Sequence, residues 1–338
     1  MQQSVGQSAP RSSRVREKHV EQRTVIITGA NSGLGRASAR FIASEDPNYT
    51  VVLACRDASK AAEACTSLRQ ETGNEHIVPM IVDLSSLESV RQLRDTFDAA
   101  NLPPLYSLVC NAGFNKAGKI EYTQDGYESI FGVCYLGHFL LANLMLSRMV
   151  DHGRLALVSS DLHRAGSRHE PAEFTDAYAL AHRPGPKRTM IVYNVTKLCI
   201  ILAGYEMAQR MKSETGTDIT VNVLNPGLMA DTNIWPGPHT GVGGALMHAG
   251  LNLMGVALRE RSSAAMSGRT LANMVTSPDY EGLTGKYIAF NGDLQDSSPA
   301  SYDQGAARKL WLQSVDLVHM TQDDTPLRLD PGDAAQDA

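Results

Sequence analysis

Short apolar runs alternate along the chain with longer stretches in which apolar and polar residues mix. The runs at 24–28, 49–54, 105–110, 154–158 and 219–224 have the length of buried strands. Two further strands are predicted with less support from the pattern. One lies at 77–82, where Pro79 is tolerable only near an edge or at the start of a strand. The other lies at 285–290.

The segments between these runs have the pattern of helices, which are predicted at 34–44, 59–71, 87–100, 127–149 and 193–212. Ser59 and either Ser85 or Ser86 are the expected N-caps. Strands that alternate with helices predict an α/β fold with a parallel sheet covered by helices on both faces. Right-handed crossovers then give a single doubly wound sheet of the Rossmann type.

Two segments interrupt this alternation. Residues 162–190 are polar and rich in turn-forming residues, and residues 236–255 are rich in glycine. Long irregular segments in a compact domain are often functional lids. The first segment fits a lid or a plain surface insertion equally well, whereas for the second a lid over the substrate is favoured.

The two ends of the chain are polar, so residues 1–23 are predicted to be a disordered tail. A transit peptide is the alternative for this arginine-rich start, but Glu17 and Glu21 count against it. Residues 319–338 are predicted to be a second, acidic and disordered tail. One domain then extends over 24–318.

Composition excludes several classes of protein. The net charge of -5 gives no basic face for nucleic acid, and no apolar run approaches the ~18 residues of a membrane span. The most apolar stretch, 139–144, is therefore expected to be a buried core helix. Five cysteines without a CxxC pair indicate reduced thiols and a cytoplasmic location, and no carboxylate–histidine cluster has the spacing of a metal site.

A glycine-rich loop directly follows the first strand, with the spacing G-x-x-x-G-x-G. Gly29 allows a tight turn, Gly33 allows the backbone to approach a pyrophosphate, and Gly35 allows the helix to pack close to the sheet. Backbone amides at the helix start would face the anion. Such a loop also occurs as a plain turn, but its place between strand and helix predicts that a dinucleotide contacts Gly29, Asn31, Ser32, Gly33, Leu34 and Gly35.

The choice of cofactor is decided after the second strand, where NAD-binding chains carry an acid for the ribose hydroxyls. Here that position holds Cys55, and Arg56 follows it. A guanidinium suits the 2′-phosphate of NADP, so NADP is the predicted cofactor. The alternative is an ordinary surface arginine paired with Asp57.

Together with this loop, the motifs Asn111-Ala112-Gly113 and Tyr193-Asn194-Val195-Thr196-Lys197 resemble those of the short-chain dehydrogenase/reductase superfamily. The resemblance covers roughly residues 24–318. It is strongest to the branch of retinol dehydrogenases and protochlorophyllide reductases, because of the sequences at 54–57, 83–87 and 136–141 and the long spacing between Ser160 and Tyr193.

The resemblance implies roles for individual residues. Asp83 and Leu84 would flank the adenine, while Asn111, Ala112 and Gly113 would line the cofactor. Pro226 and Gly227 would lie beside the nicotinamide, and Thr232 would bind its carboxamide, although the family usually has Ser or Thr where this chain has Asp231.

The same resemblance makes Tyr193 the general acid/base. Lys197 lies one helical turn further on, so its charge is expected to lower the pKa of the phenol. Lys197 would also hold the nicotinamide ribose, so that both residues contact the cofactor. Ser160 would bind the substrate oxygen. The alternative is a chance pair, since YxxxK is common.

Two positions depart from the family. Cys134 stands where the family usually has an asparagine that holds a water of the proton relay, and a thiol is a weaker hydrogen-bonding group. Leu228 stands where protochlorophyllide reductases typically have a cysteine, which disfavours photochemistry. His138 is expected to be a core histidine, and His163 is only a minor candidate for the active site.

The predicted function is NADP(H)-dependent hydride transfer between the nicotinamide and a carbonyl/alcohol pair, with reduction of a hydrophobic ketone or aldehyde favoured. Two alternatives remain open: reduction of a C=C bond, and a non-catalytic NADP-binding protein. The family's helix-face dimers make a homodimer the expected assembly. No membrane anchor is visible in the sequence, although retinoid enzymes often have one.

Overall fold

The computed structural model describes residues 22–115, 120–165, 171–182, 189–229, 249–250 and 261–329. Its strands are β1 (Arg23–Thr28), β2 (Tyr49–Cys55), β3 (Ile77–Ile81), β4 (Leu105–Cys110), β5 (Met149–Val158), β6 (Thr220–Leu224), β7 (Leu228–Met229), β8 (Arg261–Ser262), β9 (Lys286–Ile288) and β10 (Leu294–Gln295). Its helices are α1 (Gly33–Glu45), α2 (Ala58–Thr72), α3 (Leu87–Ala99), α4 (Ser129–Leu146), α5 (Ala177–Ala181), α6 (Thr189–Arg210), α7 (Ala264–Thr276) and α8 (Gln304–Leu317).

Eight strands form one sheet in the order β10-β9-β6-β5-β4-β1-β2-β3. Every neighbouring pair is parallel except β9 and β10, which are antiparallel. The predicted doubly wound parallel sheet is therefore confirmed. Pro79 lies in β3 at the edge of the sheet, where its missing N–H interrupts no inner hydrogen-bond ladder.

Helices cover both faces of this sheet. Buried residues of α1, α2 and α7 form one apolar cluster, represented by Ile42, Leu68 and Leu271. Those of α3, α4, α6 and α8 form the other, represented by Phe139 and Trp311. The strands between the two clusters are almost completely buried, which is why they read as continuous apolar runs rather than alternating ones.

The periodic pattern missed two long helices, α7 and α8. Helix α7 contains Gly268, a residue that weakens a helical prediction. The glycine is needed for packing, since a Cβ there would lie 2.6 Å from Cβ of Ala37 on α1. The predicted cap Ser59 is also wrong: Asp57 caps α2 by accepting the backbone N–H groups of Ser59 and Lys60. Ser86 caps α3, as predicted.

The irregular segment 162–190 contains more structure than its sequence indicated. Residues Asp161–Arg164 form a 3-10 turn, α5 follows, and α6 begins at Thr189, one turn before the predicted start. Helix α5 packs on α8, where the hydroxyl of Tyr178 donates to the carboxylate of Asp316 over 2.8 Å. The predicted lid at 236–255 lies outside the described residues apart from 249–250.

Among the described residues, two helical stretches, Ser129–Leu146 and Met190–Thr215, are long and apolar enough to cross a membrane, so the expectation that no apolar run approaches this length is wrong. Within the domain, 89% of the first and 78% of the second are buried, which is the pattern of core helices in a folded domain. Residues 139–144 lie in the first stretch, and all are buried as predicted.

The predicted boundary at residue 318 is wrong, because the chain remains packed on the domain as far as residue 329. Leu327 is fully buried, and Thr325 donates to Oδ1 of the buried Asn143 over 2.8 Å. Asp324 accepts from Arg91 over 2.7 Å. These contacts explain why the disorder predicted from the acidic composition is wrong here: the buried carboxylate of Asp324 has a cationic partner in Arg91. Residues 330–338 and 1–21 lie outside the described part of the chain.

Replacing Asp324 by alanine is expected to lower the free energy of unfolding by about 1–3 kcal/mol, because it leaves Arg91 without its partner and removes a cap. Burial alone would raise the pKa of Asp324, but the hydrogen bond from the backbone N–H of Thr321 and the charge of Arg91 lower it by more, so the net shift is downward. The carboxylate therefore stabilises the fold at neutral pH, and this contribution is lost as the pH falls through the lowered pKa. Denaturant unfolding at neutral and acidic pH measures both effects. The exposed neighbour Asp323→Ala is the matched control, and an equal loss in that variant would contradict the assignment.

Candidate active site

A cavity of about 450 Å³ opens at the carboxyl ends of β1 and β4. The chain builds β1, β2 and β3 outward in one direction, then returns to place β4 on the other side of β1. The crossovers leaving β1 and β4 therefore diverge, and the crevice between them is the usual ligand position in a doubly wound sheet.

The glycine loop forms one wall of this cavity. Gly29 and Gly33 have positive φ values of 67° and 55°, a backbone conformation that residues other than glycine rarely adopt. A Cβ on Gly29 would lie 3.0 Å from Cα of Ala112, and one on Gly35 would lie 2.8 Å from the carbonyl oxygen of Gly29. Gly35 does not line the cavity, so it acts through close packing of α1, as its sequence position predicted.

The start of α1 retains its capacity to bind an anion. Ser32 occupies the N-cap position, but its side chain makes no capping hydrogen bond. The first backbone N–H groups of the helix thus face the cavity without a side-chain acceptor, together with the positive end of the helix dipole. A shallow glycine cradle beside uncapped amides fits a pyrophosphate.

Arg56 lies on the rim of the cavity and is exposed to solvent. The alternative pairing with Asp57 is not what the fold shows. The carboxylate of Asp57 caps α2 and lies 3.7 Å from Lys60, and in the described part of the chain Arg56 has no ion pair. Its guanidinium is therefore available to a ligand.

The remaining cofactor residues predicted by resemblance also come together here. The described ones that line the cavity are Asp83, Leu84, Asn111, Ala112, Gly113, Pro226 and Gly227. Asp83 accepts from the backbone N–H of Ser85 over 2.9 Å, which fixes its carboxylate at the end of β3. Thr232 lies outside the described residues.

Ser160, Tyr193 and Lys197 line the same cavity. The Nζ atom of Lys197 lies 5.4 Å from the centroid of the Tyr193 ring and donates to the carbonyl oxygen of Val158 over 3.0 Å. Ser159 donates to the backbone oxygen of Lys197 over 2.7 Å, so it ties β5 to α6. Both serines line the cavity, but within the described residues the hydroxyl of Ser160 accepts only a long 3.3 Å bond from the N–H of Leu162, so Ser160 is the one with hydrogen-bonding capacity left for a ligand.

Burial controls the charge of Tyr193 and Lys197. It raises the pKa of Tyr193 well above its usual value, and the thiol of Cys134 adds to this rise. Burial also lowers the pKa of Lys197. The pKa of Tyr193 is therefore raised rather than lowered as the sequence predicted, because the loss of solvation on burial is the largest effect on the phenol. The phenol is fully protonated at neutral pH.

Cys134 lies at the back of the site, within a π-helical turn of α4 that extends over Gly132–Leu136. Its side chain is 1% exposed, and its Sγ atom is 3.7 Å from the carbonyl oxygen of Phe114. A Cβ on Gly113 would lie 3.3 Å from this sulfur and 4.0 Å from Nζ of Lys197. The thiol therefore fills the space behind the cofactor segment, where the family usually has an amide. π-helical turns are frequent at functional sites.

His163 is a structural residue rather than part of the reaction centre. Its Nδ1 donates to the carbonyl oxygen of Ser160 over 2.8 Å, and its Nε2 accepts from the N–H of Ser298 over 2.9 Å. Burial lowers its pKa to about 4, so the ring is neutral. The histidine fixes the backbone of Ser160 but does not line the cavity.

Sequence reasoning missed the residues that surround the reactive end of the cavity. These are Phe114, Asn115, Val133, Leu162 and Met229. Phe114 and Asn115 directly follow the Asn-Ala-Gly motif, so their position in the chain could have identified them. The other three look like ordinary core residues in the sequence. Within the part of the chain that the structure describes, Oδ1 of Asn115 is buried without a hydrogen-bond partner, so it has capacity to accept a hydrogen bond.

A larger cavity, of about 1690 Å³, lies at the other end of the strands, near their amino ends. Its lining includes Arg23, Pro104 and Thr220. It contains none of the catalytic or glycine-loop residues. Asp151, His152 and Asp218 lie on its rim with potential ligand atoms within 4.8 Å of one another. The sequence spacing did not predict this cluster. All three side chains are exposed, and the carboxylate of Asp151 already accepts the backbone N–H groups of His152 and Asp218, so the cluster does not identify a metal site.

Comparison with known proteins agrees with this geometry. Residues 23–172 match the short chain dehydrogenase family. The chain is 33% identical over 299 residues to retinol dehydrogenase 13 of Homo sapiens, covering 88% of this chain and 84% of that protein. It is 35% identical over 331 residues to chloroplastic protochlorophyllide reductase A of Oryza sativa subsp. japonica, covering 89% and 82%.

Solved structures share the fold at low sequence identity. A blue fluorescent protein from a metagenomic library, solved in complex with NADPH, superposes with a TM-score of 0.60 at 21% identity, over 80% of this chain and 97% of that chain. A short-chain dehydrogenase/reductase variant from Serratia marcescens gives the same TM-score at 18% identity, over 80% and 99%. The chain belongs to the short-chain dehydrogenase/reductase family of oxidoreductases and is similar over most of its length to retinol dehydrogenases and protochlorophyllide reductases.

Proposed function

We propose that the protein is an NADPH-dependent reductase of hydrophobic ketones or aldehydes. The observation that carries this proposal is that Ser160, Tyr193 and Lys197 open into the same cavity as the glycine loop. A phosphate-binding cradle and a proton donor at opposite ends of one crevice are the two parts that hydride transfer needs.

The glycine loop and Arg56 would hold NADPH in the cavity, where its nicotinamide would supply the hydride for the carbonyl carbon. Ser160 hydrogen-bonds the carbonyl oxygen and positions it beside Tyr193. The phenol of Tyr193 then donates its proton to that oxygen as negative charge develops there. Lys197, held by its bond to the carbonyl of Val158, keeps an ammonium near the phenol and stabilises the charge left on it.

Burial of Tyr193 favours the direction of reduction. A reductase needs the protonated phenol, and the raised pKa keeps the proton on Tyr193 at any pH near neutral. The developing alkoxide is a stronger base than a phenolate, so proton transfer from Tyr193 remains favourable. Oxidation would require the phenolate first, which burial disfavours.

The preference for NADPH rests on Arg56. The guanidinium is exposed on the cavity rim and unpaired within the described residues, and it directly follows Cys55, which stands where NAD-binding chains of this fold carry an acid. The solved blue fluorescent protein of similar fold was obtained in complex with NADPH, which agrees with this assignment.

The substrate class follows from the walls around the reactive end. Phe114, Val133, Leu162 and Met229 give this end an apolar surface, while Ser160 and Asn115 provide the polar contacts. Few polar groups in an apolar cavity favour a hydrophobic substrate whose carbonyl is held at a defined point.

Reduction of a C=C bond is the second candidate. It is favoured by the similarity to protochlorophyllide reductase, whereas Leu228 supplies no polar group after Pro226-Gly227. Identification of the product separates the two reactions, since one yields an alcohol and the other a saturated ketone.

A cytoplasmic location, supported by five free cysteines, and a homodimer belong to the same proposal.

Replacing Tyr193 by phenylalanine is expected to lower kcat about 100- to 10,000-fold, because it removes the general acid and leaves the cavity shape unchanged. NADPH affinity should stay near the wild-type value. Turnover of the best substrate from a panel of hydrophobic ketones measures the first effect, and fluorescence titration measures the second. Tyr205→Phe, on the same helix with its hydroxyl on Ser297, is the control and should retain activity. Full turnover by the Tyr193 variant would remove the assignment.

Replacing Arg56 by alanine is expected to raise the Kd for NADPH about 10- to 100-fold while the Kd for NADH hardly changes. The lost contact is a charge-assisted one to the 2′-phosphate, which NADH lacks. Lys60→Ala serves as control, since that exposed side chain lies one turn into α2 and does not line the cavity. Equal affinities of the wild-type protein for the two cofactors would contradict the NADP assignment.

The rate of reduction at saturating substrate is expected to be independent of pH between about pH 6 and 9, because Tyr193 stays protonated throughout when its pKa lies above the usual ~10. The rate of alcohol oxidation should rise with pH over the same range, since that direction needs the phenolate. Initial rates in both directions across this range test the sign. A reduction rate that falls with a midpoint near neutral pH would show that the phenol pKa is lowered instead.

A further inference from the structure

His138 lies on α4, directly after the π-helical turn, and is 5% exposed. Both of its ring nitrogens have partners. Nε2 is 2.8 Å from the hydroxyl oxygen of Thr28, and Nδ1 is 3.2 Å from the carbonyl oxygen of Cys134. The ring therefore connects the last residue of β1 with the turn that holds Cys134.

These partners favour one arrangement of protons. The carbonyl of Cys134 is an acceptor, so Nδ1 carries a proton and donates it. Burial lowers the pKa of His138 to about 4, so the ring is neutral and its Nε2 is an acceptor. The hydroxyl of Thr28 then donates to Nε2 at 2.8 Å in preference to its other acceptor, the carbonyl oxygen of Val109 at 3.3 Å.

The oxygen of Thr28 is thereby left with its lone pairs for other donors. It accepts the backbone N–H of Asn111 over 2.9 Å and that of Ala112 over 3.0 Å. The side chain of Asn111 adds a bond to the backbone oxygen of Thr28 over 2.8 Å. If Nε2 also carried a proton, three donors would face two lone pairs, which opposes protonation of the ring.

The segment held in this way contacts the cofactor cradle. Cα of Ala112 limits the space at Gly29 to 3.0 Å from a Cβ position, and Nδ2 of Asn111 limits that at Gly35 to 2.6 Å. The position of residues 111–112 thus sets the depth of the glycine loop. A chain of direct contacts leads from the histidine to the phosphate-binding wall.

We propose that His138 is a positioning residue of the cofactor site: by accepting the hydroxyl proton of Thr28, it orients that oxygen toward the N–H groups of Asn111 and Ala112. This role rests on the proposed NADPH binding. The histidine touches neither cofactor nor substrate, and it is not among the residues that line the cavity.

The same helix offers a matched control. Asn143 is also fully buried, its side chain donates to the carbonyl of Phe139 four residues earlier over 2.9 Å, and it bonds a threonine hydroxyl, that of Thr325, over 2.8 Å. It thus repeats the bonding pattern of His138, but its threonine belongs to the C-terminal segment and not to the cofactor site.

The experiment compares His138→Leu, His138→Gln and Asn143→Leu with the wild-type full chain. Thermal unfolding, the Kd for NADPH by fluorescence titration, and hydrogen exchange of the Asn111 and Ala112 amides without cofactor are measured for each. Both leucine variants should unfold at lower temperature. Only His138→Leu should weaken NADPH binding, by about tenfold or more, and speed exchange at the two amides. His138→Gln, which can both donate and accept, should recover most of the affinity.

Unchanged exchange at both amides in a folded His138 variant would overturn the proposal, as would an equal loss of affinity in Asn143→Leu. If His138→Leu does not fold, Thr28→Val removes the same hydroxyl and is compared with Thr28→Ser, which keeps it. If the wild-type protein binds no NADPH, the proposed function fails, and amide exchange without cofactor still decides the role of His138.

Discussion

The close approach of two backbone segments at the centre of the sheet determines the rest of the site. β1 and β4 are neighbours, and the turns that leave them touch where Gly29 meets Ala112. Because the left-handed backbone at Gly29 leaves no room for a side chain, the loop can lie low over the sheet and α1 can direct its first amides into the cavity. The wall of the cavity formed by the glycine loop therefore depends on this close contact.

The second half of the site depends on burial rather than on backbone shape. Tyr193 and Lys197 lie on a core helix whose other faces pack into the domain, so both groups lose most of their solvation. This environment raises the pKa of the phenol and keeps the proton on Tyr193. A sequence shows that the two residues are one turn apart, but the cost of burying them depends on everything packed around the helix.

This difference explains what could be predicted. The strands, the glycine loop and the Ser160–Tyr193–Lys197 set carry local signals, and the structure brings them together as expected. Helix α7 was not predicted because its packing against α1 requires Gly268, a residue that counts against a helix in the sequence. The ordered structure of residues 319–329 was not predicted because it depends on partners such as Arg91 and Asn143, which lie far away in the chain. Met229 and Val133 line the cavity without any polar signature that would distinguish them from core residues.

The same C-terminal segment also determines how far the domain can be shortened. Asp324, Thr325 and Arg328 contact α3, α4 and α6, so three helices of one layer receive contacts from residues 319–329. Removing this segment would take Leu327 out of the core and would leave Arg91 and Asn143 without these partners. The layer that carries Tyr193 therefore owes part of its packing to residues that lie far from the active site in the sequence.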